Sequence, residues 1–329
     1  MSRPTLPEGS VSHDRLAFYR KQICDIEDLR EPVRGSDIEI CQIEAGTLTG
    51  SVTYGMLGGF SVSVGHFSRA VRARGVMSKD KQIVGMLLDR EQPVSHWCFD
   101  VEPGDVVFAA AGSDHEGSYK GAASFATIAL SPAELAEFMK GEGGISDFDF
   151  WQRTTRVRPD PLVAQSIAAR FKTLVGTLAQ AGPHLSPDSS DFWARALVEA
   201  FVYSVANGIA MNEDTAPVKS AMIVRRVEDL LDAYRARPVH ISEICQTLDL
   251  SRRTLHRAFS ETLGIGPVTY LRHQRLHAIR EILRQGTAGS SSITRLAMSF
   301  GFDDVGRFAG YYRKLFGELP SGTVKRSHR

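Results

Sequence analysis

The run Leu250-Ser251-Arg252-Arg253-Thr254-Leu255-His256-Arg257-Ala258-Phe259 gathers hydrogen-bond donors on one side of a helix. Leu255, Phe259 and Leu263 recur at intervals of four, the spacing of one buried helical face. The opposite face presents Arg252, Arg253, His256 and Arg257. A guanidinium can donate two bonds to O6 and N7 of guanine, worth roughly 1–3 kcal/mol of discrimination. An imidazole can donate to the same atoms, and either group can bind a phosphate instead. The charge distribution points the same way. From Lys219 onward, 19 Lys and Arg stand against 10 Asp and Glu, while the rest of the chain has 20 against 28. The overall net charge of +1 hides this asymmetry, and a basic segment of that kind suits a nucleic-acid partner.

An internal repeat positions these residues. An offset of 52 pairs Ile241 with Ile293, Ile244 with Leu296, Cys245 with Ala297, Leu248 with Phe300 and Leu250 with Phe302. One extra residue in the second turn moves the offset to 53. It then pairs Leu255 with Phe308, Phe259 with Tyr312, Leu263 with Phe316, Gly264 with Gly317 and Pro267 with Pro320. Each copy reads as a short helix (Ile241 to Leu248, Ile293 to Phe300), a tight turn and a second helix. Ser251 or Asp303 is the expected N-cap of that second helix, and Gly264 or Gly317 its left-handed end. Small residues, Cys245 and Ala297, stand where the two helices would cross. This is the plan of a helix-turn-helix. Between the copies, Pro267 to about Gln285 reads as one helix of ~28 Å. One turn of B-DNA spans ~34 Å. Such a strut could hold two recognition helices in successive major grooves.

The Leu250–Phe259 run and the stretch from Ala297 through Pro320 resemble the AraC/XylS family of bacterial transcription regulators over residues 220–320. The second stretch contributes Gly301-Phe302-Asp303, Phe308, Tyr312-Arg313-Lys314, Phe316-Gly317 and Pro320. The resemblance implies base-reading positions at Arg253, His256 and Arg257. In the second unit it implies Val305, Gly306, Arg307 and Gly310, with Arg313 and Lys314 near phosphate. Two glycines cost about 1 kcal/mol each of helix propensity and offer no donor. The first unit is therefore expected to read bases and the second mainly to position the protein. The resemblance further implies promoter DNA and RNA polymerase as partners, a homodimer, activation of transcription, and a small-molecule effector held by the N-terminal domain. The sequence has no nucleophile elbow, no phosphate-binding Gly-rich loop at a helix start and no His-Glu-x-x-His run, so no enzyme activity and no cofactor are expected.

The first 130 residues read differently. Ser61-Val62-Ser63-Val64 alternates polar and apolar, and Trp97 to Val101 and Val106 to Phe108 are short β-rich runs between turn residues. The expected fold class is α+β: a cupin-like β-barrel or sandwich with a helical dimerisation segment, then an all-α tandem helix-turn-helix domain. The expected boundaries are a disordered tail at 1–15, a sensor β-domain at 16–135, a helical segment at 136–210, a linker at 211–220 and a DNA-binding domain at 221–325. Helices over 160–181 and 190–210 form either a dimerisation hairpin or a cover for the β-domain. Gly104, Gly112 and His115 have the spacing of the second cupin motif, with Ala110 where that motif prefers proline. His66, His96 and His115 are scattered and no His-x-His pair exists, so no metal is expected.

Arg30-Glu31-Pro32-Val33-Arg34 resembles the Arg-x-x-x-Arg loop by which PilZ domains grip cyclic di-GMP. Two arginines can clamp phosphates and hydrogen-bond guanine. Thr47 and Gly50 fit the companion motif of that fold, whereas Ala45 breaks it. Arg30, Arg34 and Thr47 are thus candidate effector contacts, with cyclic di-GMP an alternative effector and a ligand-independent scaffold a further alternative. Arg69, Arg72 and Arg74 form a second anion candidate, read as solvated surface. Cys24, Cys41, Cys98 and Cys245 are too far apart for a metal pair and fit a reducing compartment. No apolar run approaches the ~20 residues that span a bilayer. The expected location is cytoplasmic, without membrane contact.

Overall fold

Period-two alternation builds two antiparallel sheets in the computed structural model. It describes residues 18–30, 36–57, 60–97, 99–138, 156–181, 186–210, 219–234, 238–285 and 290–327. The larger sheet holds β1 (Phe18–Ile23), β3 (Gly50–Leu57), β4 (Phe60–Phe67), β6 (Gln82–Arg90), β9 (Val106–Ala109), β11 (Ala123–Leu130), β12 (Arg156–Pro159) and β13 (Gly208–Ala210). Its strand order is β1-β3-β4-β11-β6-β9-β12-β13. The smaller sheet holds β2 (Asp37–Gln42), β5 (Val71–Val76), β7 (Val94–His96), β8 (Phe99–Val101) and β10 (Asp114–Tyr119), in the order β2-β5-β10-β7-β8. The segment 136–210, expected to be helical, thus also supplies two strands to the larger sheet. The expected tail at 1–15 and most of the linker, 211–218, lie outside the described residues.

Strand alternation gives each sheet two faces. Val84 and Met86 of β6, Phe108 of β9 and Ile128 of β11 point outward from the sandwich. They pack under two long helices, α3 (Pro161–Ala181) and α4 (Pro187–Ala206), with Phe171, Leu178, Leu197 and Phe201 in the same core. Phe171 meets Phe201 edge to face, with ring centroids 4.9 Å apart. These helices cover the sheet with one face and leave Leu162, Phe192 and Tyr203 exposed on the other. The inward faces of the two sheets share a second core that includes Val52, Phe67, Val71, Ala73, Leu87 and Val107. Two short helices, α1 (Ile26–Arg30) and α2 (Pro132–Phe138), complete the domain. Ser131 and Glu134 cap α2 reciprocally: Glu134 N–H donates to the Ser131 hydroxyl at 3.2 Å and Ser131 N–H to the Glu134 carboxylate at 2.7 Å.

The C-terminal part is all-helical: α5 (Lys219–Ala233), α6 (Ile241–Thr247), α7 (Arg252–Leu263), α8 (Pro267–Arg284), α9 (Ser290–Ser299), α10 (Val305–Phe316) and α11 (Pro320–Ser327). Residues Lys219 and Ser220, expected in the linker, open α5. Two cores follow the two repeats. Ile244, Leu255, Phe259 and Leu263 anchor the first, and Ala297, Phe308, Tyr312 and Phe316 the second. Leu276, Ile279 and Leu283 of α8 also enter the second core, while Tyr270 and Leu271 enter the first. The 18-residue strut therefore belongs to both units.

Candidate nucleic-acid interface and effector cavity

The recognition helices form where the repeat places them. In each unit a turn residue takes the left-handed conformation, Asp249 at φ 52° and Gly301 at φ 75°. The next N–H then reaches back to the first helix: Leu250 to the Cys245 carbonyl at 2.9 Å and Phe302 to the Ala297 carbonyl at 3.0 Å. Ser251 caps α7 by accepting from Thr254 N–H at 3.0 Å. In the second unit the cap is Asp304, which accepts from Arg307 N–H at 2.9 Å. This corrects the expected cap, Asp303; the extra residue of the second turn moves the helix start by one. Gly264 (φ 73°) and Gly317 (φ 75°) end the two helices in the left-handed conformation.

Leu255, Phe259, Phe308 and Tyr312 are fully buried. Arg252, Arg253, His256 and Arg257 stand exposed on the other face of α7, and Val305, Gly306, Arg307, Gly310, Arg313 and Lys314 on that of α10. The ion pairs of these exposed cations are long and local: Arg257 meets Glu261 at 3.9 Å and Arg307 meets Asp304 at 3.4 Å. A Cβ at Gly310 would meet nothing within 4 Å, so this helix presents a smooth backbone there.

Both recognition helices are held at their C-terminal ends by the N-terminal domain. The last carbonyls of a helix lack intrahelical partners. For α7, the Ser118 hydroxyl donates to the Thr262 carbonyl at 3.3 Å and the Lys120 ammonium to the Glu261 carbonyl at 2.6 Å. For α10, Gly46 N–H donates to the Lys314 carbonyl at 2.8 Å and the Gln42 amide to the Leu315 carbonyl at 2.9 Å. His277 Nε2 of α8 donates to the Gln42 carbonyl at 2.9 Å. Burial pulls His277 down to about 3, with Arg30 adding to the effect, so the ring is neutral at pH 7.

Arg69, Arg72 and Arg74, read as solvated surface, belong instead to ion pairs. Arg72 is buried and makes a two-pronged bond to Glu228 of α5, at 3.0 and 2.7 Å. The Tyr270 hydroxyl donates to the same carboxylate at 2.7 Å. Burial alone would lower the Arg72 pKa, but the Glu228 carboxylate overrides it and holds the guanidinium charged. Arg74 pairs with Asp229 and Asp232 of α5, and Arg69 with Glu44 at 3.0 Å. The sequence carried no sign of the partners of Arg72 and Arg74, which lie 155 to 158 residues away along the chain.

Strand alternation gives the small sheet a double duty. The outward residues Arg72, Arg74, Glu116 and Ser118 face the C-terminal helical domain. The inward residues Val71, Ala73, His115 and Tyr119, on the same two strands, line a cavity of about 820 Å³ between the sheets. Ile38 and Ile40 of β2 and Ile83, Gly85 and Leu87 of β6 extend its wall. His96 and His115, expected to be scattered, come together here with ring centroids 5.0 Å apart. His96 Nε2 is hydrogen-bonded to the Tyr119 hydroxyl at 3.0 Å. Burial lowers His115 to about 4, aided by Arg72 behind it, and lowers His96 well below its ordinary value. His66 stands apart, bonded to Ser124.

Of the candidate cyclic dinucleotide contacts, Arg30 and Thr47 each meet other groups of the chain. Arg30 donates to the Ile40 carbonyl at 2.8 Å and to Glu27 at 3.0 Å. Thr47 lies against Gly317, where a Cβ on the glycine would collide with its hydroxyl. Arg34 lies outside the described residues. No described helix is long and apolar enough to cross a membrane.

Comparison with known proteins bears on the C-terminal part. Residues 244–326 match the helix-turn-helix domain family. The XylDLEGF operon transcriptional activator of Pseudomonas putida is 35% identical over 100 residues, 30% of this chain and 31% of that protein. The probable thc operon regulatory protein of Rhodococcus erythropolis is 34% identical over 103 residues, 31% of each. A solved structure of a probable AraC family transcriptional regulator from Rhodopseudomonas palustris is 33% identical, covering 32% of this chain and 97% of that one, with a TM-score of 0.30. The match thus spans about a third of the curated relatives' length. Over residues 244–326 the chain is thus similar to the helix-turn-helix domains of transcription regulators such as these, and it joins that domain to a β-rich N-terminal one.

Proposed function

We propose that this protein is a sequence-specific, DNA-binding transcription regulator, an activator whose DNA-binding domain is controlled by a small molecule in the N-terminal cavity. One observation carries the reading: Arg252, Arg253, His256 and Arg257 are exposed on α7, while the opposite ends of both recognition helices are anchored to the wall of that cavity. Arg253, His256 and Arg257 contact base edges. Arg307 adds one contact from α10, Gly310 lets that helix approach closely, and Arg313 and Lys314 bind phosphate. A ligand that shifts β2 or β10 changes how the two readers are held, because both strands line the cavity while Gln42 of β2 holds α10 and Ser118 of β10 holds α7.

The DNA-bound form works with RNA polymerase at a promoter and is a homodimer through the outer face of α3 and α4, where Leu162, Phe192 and Tyr203 are exposed. A cyclic dinucleotide effector would have to free Arg30 from Glu27 and the Ile40 carbonyl; calorimetry with cyclic di-GMP tests that alternative. A scaffold N-terminal domain would leave DNA affinity unchanged by every metabolite tried.

The deciding experiment selects duplexes from a random pool with the full chain, then measures affinity against salt. Phosphate neutralisation makes binding fall steeply with salt. Lys314→Ala is expected to weaken all sequences alike and reduce the salt slope by about one. An unselective pool, or a salt-independent affinity, sinks the reading.

A further inference from the structure

We propose that the cavity takes an uncharged, largely apolar organic ligand whose hydroxyl or carbonyl hydrogen-bonds the His96–His115–Tyr119 cluster. The inference rests on the effector-controlled reading above and assigns its ligand class. At about 820 Å³ the cavity is within the range of small-molecule sites. Its walls are apolar: Leu29, Ile40, Phe67, Val107 and Phe125 all contribute. The charged lining residues are Asp37, Lys79, Asp80 and Lys81, confined to the start of β2 and the turn after β5. Asp37 and Lys79 are largely exposed and pair with each other at 2.8 Å.

The buried polar groups are neutral. His115 is 7% exposed, and its Nδ1, like that of His96, has no hydrogen-bond partner. Burial keeps both rings uncharged at pH 7. A carboxylate or phosphate placed at this buried cluster would lose its water without meeting a counter-charge, since Lys79 and Lys81 stand at the other end of the lining, and that strongly disfavours it. A neutral head group keeps most of its hydrogen bonding, because imidazoles and a phenol offer both donors and acceptors. Gly85 faces the cavity from β6, and a Cβ there would meet nothing closer than 3.7 Å. The missing side chain contributes to the open volume and supplies a way to close it.

The test titrates the full chain at pH 7.5 with 2-naphthol, 2-naphthoate and naphthalene, three probes of one skeleton. The expected order is 2-naphthol tightest, and 2-naphthoate at least tenfold weaker. Gly85→Phe should abolish binding of 2-naphthol. His115→Leu should weaken 2-naphthol at least fivefold and leave naphthalene unchanged; Tyr119→Phe repeats that comparison should His115→Leu fail to fold. Equal or tighter binding of 2-naphthoate overturns the proposal. So does undiminished 2-naphthol binding by Gly85→Phe, or no binding of any probe at millimolar concentration. DNA affinity with and without 2-naphthol separates the two ideas. Binding in the expected order without any change in DNA affinity supports the ligand class and rejects effector control.

Discussion

In the first helix-turn-helix unit the tight turn passes through Asp249, and the exposed face of its second helix carries Arg252, Arg253, His256 and Arg257. In the second unit the turn passes through Gly301, and the matching face carries Val305, Gly306, Arg307 and Gly310. The buried positions match closely, Leu255 with Phe308 and Phe259 with Tyr312. A helix-turn-helix backbone is thus fixed by its inward residues and caps, and its outward face is free to diverge. The docking differs as well. The first unit is held through the ion pairs of Arg72 and Arg74 with α5 and through Lys120, the second through backbone groups, Gln42, the neutral His277 and the ion pairs of Arg280 and Arg284 with Asp25.

The strongest way to break this comparison is to empty each core. Phe259→Ala and Phe308→Ala remove fully buried rings and should each cost about 3–5 kcal/mol. Denaturant titration should show equal losses. A large loss for one and little for the other would mean that the two units are not equivalent scaffolds.

Acid should separate the two docking surfaces. His273 and His277 of α8 lie against the loop at residues 42–43 and are held near 4 and 3, respectively, chiefly by burial. A histidine with a depressed folded value adds nothing above its ordinary value near 6.5; below that, the opened form takes up protons first. Between pH 7 and 5 each should cost the docked state on the order of 2 kcal/mol. Hydrogen exchange should therefore rise in α10 more than in α7, and His277→Gln should reduce that rise. Equal acceleration in both helices would show that the difference in docking is not functional.

The outward faces predict unequal readers. Arg257→Ala should lower discrimination between selected and random duplexes by roughly 1–3 kcal/mol, about 5- to 150-fold. Arg307→Ala should change it less than threefold in the same competition assay. A larger effect of Arg307→Ala would reverse the assignment. The smallest effects should come from the turns. Gly301→Ala places a side chain at φ 75° and should lower stability by about 1 kcal/mol, whereas Asp249→Gly should raise it slightly. Thermal unfolding of the two variants reads both signs.

Much of the DNA-binding domain was legible in the sequence. Caps, left-handed glycines and four-residue apolar spacing act within one or two helical turns, so Ser251, Gly264, Leu255 and Phe259 announce their roles locally. Asp304 was misread as Asp303 because a one-residue insertion leaves two adjacent acids, and only backbone geometry selects between them. In the N-terminal domain the β-rich character was visible in the alternation. The pairing of β12 and β13 into the larger sheet was not, since nothing in a four-residue run names its neighbour.

Residue order alone determined the repeat, the strut joining its halves and the exposed cationic face, because each depends on contacts between near neighbours. Tertiary structure decided that Arg72 meets Glu228, that His96 meets His115, and that one sheet separates a cavity from the DNA-binding domain. Those contacts bridge residues far apart in sequence, and burial and charge pairing fix them only once the sheets have closed on each other and the helices have docked.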